Sequence, residues 1–274
     1  MADRSPEATA TVVRPGWLAD YIRPRYVPSL VIISPPRSGS TAVARAFWQH
    51  PAFRWYAHEP CDSVYHRDGG SAEVVRAIAE GIDTTSVPGP ETSGNGIIIK
   101  EMTFQAASLL PELIGAATLP ILFIVRDPRL SIASRMRQRE HGGQSPWFPP
   151  AESGWHDLDA ALALARDAHV PYVVVEFDRL CADPAAVIRA TCRRLGLAFV
   201  PEMLSWEPAR GISLGQLGPE QRHWYERVLA SSRFERPAGT PPPVDSFPAD
   251  RGIRAHVAEC LDIYRRALGD PGTI

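Results

Sequence analysis

The residues best suited to chemistry lie in a short polar segment, SPPRSGST, at positions 34–41. Arg37 supplies a fixed positive charge and a planar fork of N–H donors. The hydroxyl groups and the turn-forming glycine of the segment belong to Ser38, Gly39, Ser40 and Thr41. A helix that begins here would present free backbone N–H groups at its positive end. The segment therefore predicts a binding site for a phosphate or sulfate group.

This segment departs from the familiar phosphate-binding loop GxxxxGK[ST] at two positions. When Gly39 is aligned with the second glycine, Ser40 replaces the lysine and Ser34 replaces the first glycine. A nucleotide hydrolase without that lysine is disfavoured, because the positive charge has moved to Arg37. Two interpretations stay open at this point: an anion-binding loop of another kind, and an ordinary strand–turn–helix with an incidental arginine.

A second arginine and hydroxyl pair occurs in the segment IVRDPRLSIASRMR. Arg126 follows an apolar run, and Ser134 falls in the second turn of the helix predicted to come next. Facing the same edge of a sheet, the two would bind a second anion. The structural alternative is a strand end at which Asp127 caps the helix and Ser134 is solvated. Two separate anion sites would imply a ligand with two distant charged groups.

A third group of candidates lies at the ends of two further apolar runs. One run ends at His58 and Glu59, and the other ends at Lys100 and Glu101. Lys100 is the single lysine among 29 basic residues, so it is a candidate for a role that arginine does not fill. The alternative for each of these residues is an ordinary polar strand end.

The elements that must position these residues alternate between strands and helices. Short apolar runs predict strands at 30–33, 53–57, 96–102, 120–127 and 171–177. Helical spacing predicts helices after Gly39 and at 71–81, 104–117, 128–139, 157–168, 183–195, 217–235 and 250–268, with a loose segment at 83–95. This alternation predicts an α/β fold with an open, mostly parallel sheet, helices on both faces and extra C-terminal helices. Ligands of such sheets bind beyond the carboxyl ends of the strands, where all three groups of candidates lie.

The length of 274 residues fits a single α/β domain over 1–274. Within it, residues 1–28 are expected to form an N-terminal arm packed over the first strand. The proline-rich stretch at 236–249 is expected to connect to a C-terminal helix. The four cysteines are scattered without metal-ligand spacing, which predicts reduced thiols and no structural zinc.

Composition and charge exclude several classes of partner. The net charge is −2 and no basic run occurs, which disfavours nucleic acid as a partner. No stretch is apolar over the length of a signal peptide or a membrane span, so we expect a soluble cytoplasmic protein that does not bind membranes.

The two anion motifs together resemble those of the sulfotransferases that use 3′-phosphoadenosine 5′-phosphosulfate (PAPS). SPPRSGST is similar to their 5′-phosphosulfate loop, which in many members carries lysine at the position of Arg37. RDPRLSIAS is similar to their 3′-phosphate motif, with Arg126 and Ser134 at matching positions. The resemblance covers about residues 29–180. It implies a P-loop-like fold, transfer of a sulfuryl group to a hydroxyl or amine, and no metal requirement.

The chain also departs from the aryl-type members of that family. They stack adenine on a tryptophan just after the loop threonine, where this chain has Ala42. They follow the third strand with Lys-Thr-His, of which the histidine is the base, whereas this chain has Lys100, Glu101 and Met102. Some bacterial carbohydrate-type members use a Glu-Pro after the first helix instead, which the HEP segment at 58–60 resembles.

The resemblance implies a role for each candidate in binding the donor nucleotide. Arg37 and the loop amides would hold the 5′-phosphosulfate and take up charge on the leaving phosphate, which makes Arg37 a catalytic candidate as well. Arg126 and Ser134 would hold the 3′-phosphate. The other residues expected to contact the nucleotide are Ser38, Gly39, Ser40 and Thr41.

The catalytic roles are expected to fall on residues at the strand ends. Lys100 would donate to the bridging oxygen or to a sulfuryl oxygen. Glu59 is the first candidate for the general base, His58 is the second and Glu101 is the third. No metal is expected to take part.

The acceptor is expected to be a small molecule, of the kind modified in bacterial secondary metabolism. The loop 141–156 contains Trp147, Phe148 and Trp155, so it could cover a hydrophobic acceptor as a lid or pack as a static loop. Two alternatives to a sulfotransferase stay open. One is a nucleotide-dependent kinase with a degenerate phosphate loop, and the other is a non-catalytic nucleotide-binding module.

Overall fold

The computed structural model describes residues 16–87, 91–209, 212–214, 223–235 and 239–274. Most of the expected N-terminal arm and part of the expected helix 217–235 therefore lie outside the described residues. Within the described chain, no helix is both long and apolar enough to cross a lipid bilayer.

A single twisted sheet contains the strands that bear the candidate residues. Its members are β1 (Ser29–Ser34), β2 (Phe53–His58), β3 (Ile82–Asp83), β4 (Gly96–Met102), β5 (Ile121–Val125) and β6 (Tyr172–Glu176). Their order in the sheet is β3-β2-β4-β1-β5-β6. Every neighbouring pair is parallel except β2 with β3. The predicted mostly parallel sheet is thus confirmed, and β3 is an additional strand at the edge of the segment expected to be loose.

Helices cover both faces of this sheet, as predicted. They are α1 (Trp17–Ile22), α2 (Ser40–Trp48), α3 (Asp62–Arg67), α4 (Ser71–Ala79), α5 (Thr103–Ala106), α6 (Leu110–Ala116), α7 (Pro128–His141), α8 (Trp155–Asp167), α9 (Phe177–Ala182), α10 (Pro184–Leu195), α11 (Glu226–Ala230) and α12 (Ile253–Leu268). The expected arm therefore includes a helix, α1, which packs against α6.

Two helix predictions were wrong in extent. The helix expected over 104–117 is split into α5, a 3₁₀ turn and α6. Pro111 has no N–H to donate, and it stands in the first turn of α6, where that donor is not needed. In the described part of 217–235, only Glu226–Ala230 forms an α-helix.

The central strand β1 supplies side chains to two separate cores because successive residues point to opposite faces. Val31 and Ile33 pack with the helices of one face, among them α6, α8 and α12. Leu30 and Ile32 pack with those of the other face, among them α2 and α10. All six residues of β1 are buried. This burial on both sides explains its continuous apolar sequence.

The register of the parallel strands brings the candidate residues to one edge. Lys100 on β4 is paired with His58 on β2 and with Ile32 on β1. β1 lies between β4 and β5, so the loops that follow these three strands open on the same side. The expected convergence at the carboxyl ends of the strands is present in the fold.

The loop 141–156 packs against the body of the protein through two of its aromatic residues. Trp155 is fully buried, starts α8 and contacts the ring of Tyr264 edge-on at 5.9 Å. Phe148 is also buried. This packing agrees with the static alternative for these two residues.

Glu112 on α6 is hydrogen-bonded to the start of α1, and its loss is expected to destabilise the fold. Its carboxylate accepts hydrogen bonds from the backbone N–H groups of Gly16 (2.7 Å) and Leu18 (3.2 Å) at the start of α1. Glu112→Ala should lower the free energy of unfolding in urea by about 1.5–3 kcal/mol, since it removes charge-assisted bonds at a buried helix start. The exposed helical residue Glu140 provides the control, and a loss equal to that of Glu140→Ala would contradict the assignment.

Candidate active site

The turn between β1 and α2 has the backbone of an anion-binding loop. Arg37 and Gly39 have positive φ values of 64° and 87°. A β-carbon on Gly39 would lie 2.3 Å from the ring of Phe177, so this position has room for no other residue. The turn ends at the start of α2, where the first N–H groups have no acceptor within the helix and the helix end is positive.

A cavity of about 410 Å³ opens at this edge of the sheet. Among the residues that the structure describes, seven arginines and one lysine line it, against four carboxylates. The sequence-predicted residues that line it are Arg37, Gly39, Ser40, Thr41, Glu59, Lys100, Arg126 and Ser134. This excess of positive charge favours an anionic ligand.

The two predicted anion motifs meet inside this cavity. Arg37 Nε donates to Ser134 Oγ at 3.4 Å, and Arg37 Nη1 donates to the carbonyl of Trp224 at 2.9 Å. Arg126 Nη1 donates to the carbonyl of Arg37 at 3.5 Å, and its Nε lies 3.7 Å from Asp178 Oδ1. The arginine of the first motif therefore lies against the hydroxyl of the second.

The family assignment rests on a comparison of the whole sequence with family models. The model described as a sulfotransferase domain matches residues 29–256. The chain belongs to the sulfotransferase family. A search of curated proteins found no match to it. The resemblance seen in the two motifs is thus confirmed at the level of the family.

One solved sulfotransferase structure shares the fold of this chain at low sequence identity. The sulfotransferase domain of the olefin synthase of Synechococcus PCC 7002 is 18% identical, with a TM-score of 0.53 over 88% of this chain and 95% of that one. A sulfotransferase of Alicyclobacillus acidocaldarius is 13% identical over 73% of this chain and 95% of its own, with a TM-score of 0.48. A mouse sulfotransferase in complex with PAP is 12% identical over 68% and 64%, with a TM-score of 0.44.

In this sulfotransferase, a buried ion pair joins the ends of β2 and β4. Lys100 Nζ contacts Glu59 Oε1, and both side chains are less than 5% exposed. Tyr225 donates its hydroxyl to the same oxygen at 2.9 Å. Burial raises the pKa of Glu59, but the charge of Lys100 and the hydrogen bonds from Lys100 and Tyr225 lower it, and the net pKa lies below the ordinary value. Glu59 is held as a carboxylate that faces the cavity.

His58 is buried beside this pair but does not line the cavity. Tyr56 Oη contacts His58 Nδ1 at 2.5 Å, and His58 Nε2 lies 3.4 Å from Glu59 Oε1. Burial lowers the pKa of His58 to about 3, so the ring is neutral at ordinary pH and the contact with Glu59 is not an ion pair.

Glu101, the third candidate base, does not line the cavity either. It is fully buried, and its two oxygens accept hydrogen bonds from the backbone N–H groups of Cys61 (2.8 Å) and Met102 (2.9 Å). Burial, with the charge of Glu59, raises its pKa to about 8. Glu101 and Lys100 are neighbours on β4, so the strand alternation sends them to opposite faces.

The hydroxyl groups of the first motif have different environments. Ser40 Oγ accepts a hydrogen bond from Ser34 Oγ at 2.7 Å, which ties the helix start to the strand end. Ser38 is buried away from the cavity lining, and among the described residues its Oγ has no hydrogen-bond partner. A buried hydroxyl group without a hydrogen-bond partner is energetically costly, and that of Ser38 is free to donate.

No sequence pattern indicated that the 223–235 segment lines one side of the cavity. Arg45, fully buried on α2, holds this segment by donating to the carbonyls of Val228 (2.6 Å) and Ser231 (3.1 Å). Tyr225 and Trp224 both line the cavity. Two adjacent aromatic residues in a predicted helix do not by themselves indicate a functional site. The hydrogen-bond partner of Tyr225, Glu59, lies 166 residues earlier in the chain.

Arg135 was also missed, although it directly follows Ser134. It forms a short ion pair with Glu152 at 2.5 Å, and its guanidinium lies over the rings of Phe104 (5.1 Å) and Phe148 (4.7 Å). Arg135, Glu152 and Phe104 all line the cavity. Its position directly after Ser134 in the second motif was the available signal.

The raised pKa of Glu101 predicts a pH dependence of stability. Its pKa is about 8 in the folded protein and 4.5 ordinarily, so the folded state binds the extra proton and stability falls as pH rises between these values. The pKa of His58 is lowered in the folded protein, so this histidine changes the stability mainly below its ordinary pKa of 6.5. Between pH 6.5 and pH 8 we expect Glu101 to cause the change in stability.

Chemical unfolding at pH 6.5 and pH 8 checks this expectation. The wild type should lose on the order of 1–2 kcal/mol across the window, and Glu101→Gln should lose much less, because the amide does not ionise. An equal loss of unfolding free energy in the two proteins would show that Glu101 does not titrate between pH 6.5 and pH 8.

Proposed function

We propose that the chain transfers the sulfuryl group of PAPS to a hydroxyl or amine of a small-molecule acceptor. One observation carries this proposal. A single arginine-rich cavity brings the helix-start anion loop, the pair Arg126 and Ser134, and the buried pair Glu59 and Lys100 to one edge of the sheet. Membership of the sulfotransferase family supports the reaction type.

The donor set of the cavity fits a nucleotide with phosphate groups at two positions. The N–H groups at the start of α2 would hold the 5′-phosphosulfate together with Arg37, which contacts Ser134 of the second motif. Arg126 and Ser134 would hold the 3′-phosphate. When bound, PAPS supplies an activated sulfuryl group on a phosphate leaving group.

The side chains around the reacting atoms would act by position and charge. Lys100 is a compact ammonium group at the cavity wall, suited to neutralise the charge that grows on oxygen during transfer. Among the described residues, the contacts of the Glu59 carboxylate are made through Oε1. Its Oε2 would accept the proton of the acceptor, which makes Glu59 the general base.

The acceptor part of the cavity combines apolar and polar side chains. Met102, Phe104 and Leu130 offer apolar contacts, and Asp62 and Gln105 offer hydrogen bonds. A volume of about 410 Å³ is within the range of small-molecule sites. The adenine would stack elsewhere than at Ala42, and Phe177 and Trp224 are two of the aromatic rings in the lining.

Nucleotide preference tests the donor assignment directly. In calorimetry, 3′-phosphoadenosine 5′-phosphate should bind about 10–100-fold more tightly than AMP, since the lost 3′-phosphate forfeits a desolvated, charge-assisted contact worth roughly 1.5–3 kcal/mol. Ser134→Ala should narrow this ratio. Equal affinities for the two nucleotides would refute the role of Arg126 and Ser134. Tight, magnesium-dependent binding of ATP would favour a kinase instead.

The role of Glu59 is tested by turnover of PAPS with a panel of phenols, alcohols and amines. Glu59→Gln keeps the shape of the side chain but not its basicity, so transfer should fall by roughly 10²–10⁴-fold while nucleotide binding is retained. Glu202→Gln, at an exposed position, is the control. Normal transfer by Glu59→Gln would exclude it as the base. Retained binding with no turnover in the wild type for any acceptor would favour a non-catalytic module.

A further inference from the structure

Two histidines and a glutamate meet on the surface where the start of α8 lies against α12. His156 belongs to the first turn of α8, and His256 and Glu259 lie on one side of α12. His156 Nε2 is 3.5 Å from Glu259 Oε2, and His256 Nδ1 is 4.0 Å from the same oxygen. One ligand atom from each residue lies within 4.8 Å of the others.

These separations are close to those of a tetrahedral metal site. Zinc bonds of 2.0–2.1 Å to nitrogen and oxygen place neighbouring ligand atoms roughly 3.3 Å apart. The distance between His156 and Glu259 already matches this value. Both side chains are about 60% exposed, so a small rotation of each can bring the other two pairs of ligand atoms to this separation.

His256 is oriented for metal binding by a contact on its inner side. The residue is buried, and its Nε2 lies 2.8 Å from Ser153 Oγ and 3.4 Å from Cys260 Sγ. The 4.0 Å to Glu259 is too long for a hydrogen bond from Nδ1, which favours the tautomer that donates from Nε2 to Ser153. That tautomer directs the lone pair of Nδ1 at the cluster. Metal-binding histidines commonly have such a second hydrogen bond.

We propose that His156, His256 and Glu259 form a site for a divalent transition-metal cation, with Zn²⁺ the representative case. Two imidazoles and one carboxylate suit zinc, nickel or copper and disfavour magnesium and calcium, which prefer oxygen ligands. Three protein ligands leave further positions for water. The site lies outside the active-site cavity and is independent of the proposed reaction.

The cation would join α8 and α12, which pack against each other. Ser153, which orients His256, ends the short turn Pro150–Ser153. Glu152 in that turn lines the cavity and holds Arg135. Binding would therefore stabilise the packing of α8 on α12 and the wall that carries the Arg135–Glu152 pair. Its role is structural.

Calorimetric titration of the chelator-treated full chain with Zn²⁺ tests the proposal. We expect one zinc ion per chain, and His156→Gln and Glu259→Gln should each weaken binding by about 10-fold or more. His169→Gln, at an exposed histidine away from the cluster, should bind as the wild type does. Absence of zinc binding by the wild type, or unchanged binding by His156→Gln, would overturn the site.

Two further measurements keep the result interpretable. Both variants replace exposed side chains, and their melting temperatures without metal should equal that of the wild type. Zinc should raise the melting temperature of the wild type and leave that of the variants nearly unchanged. The Co²⁺ complex should show no sulfur-to-metal charge-transfer absorption. Such absorption would assign the metal to cysteine and refute the three-residue site.

Discussion

The buried ion pair between Glu59 and Lys100 is the interaction on which the candidate site depends. Two charges this deep in a protein are tolerated only as a pair, because each alone would cost several kcal/mol of desolvation. The pair requires β2 and β4 to be adjacent and in register, and it requires Glu59 to leave the strand with a positive φ of 50°. Tyr225 then attaches the 223–235 segment to the same oxygen. The position of the Glu59 carboxylate thus depends on the sheet register, on a strained backbone conformation and on a segment far along the chain.

Burial and local charge give the three neighbouring candidate bases different protonation states. The carboxylate of Glu59 is kept ionised by Lys100, whereas Glu101, one residue further along β4, keeps its proton to about pH 8 because burial and the negative charge of Glu59 raise its pKa. His58 stays neutral for the same reason of burial. Of three candidate bases adjacent in sequence and in the sheet, one is both charged and open to the cavity.

Sequence reasoning could predict the parts of the fold and site that repeat a simple geometric rule. Strands β1, β4, β5 and β6 are continuous apolar runs because both faces are covered, and their carboxyl ends converge wherever a sheet is parallel. The two-residue strand β3 and the short helices α5 and α9 are too brief to show a period. Tyr225 and the carbonyls bound by Arg45 come from far along the chain, and no local pattern states where such a segment returns.

The hydrogen bonds between Arg45 and the 223–235 segment have a consequence for the order of events in folding. The guanidinium joins α2 to carbonyls more than 180 residues later, so this contact has a large loop-closure cost and forms late in folding. The α/β core can be complete before the cavity has its final wall. We expect the wall to be a separate cooperative unit, which can open without unfolding the sheet and give access to the cavity on a time scale of its own.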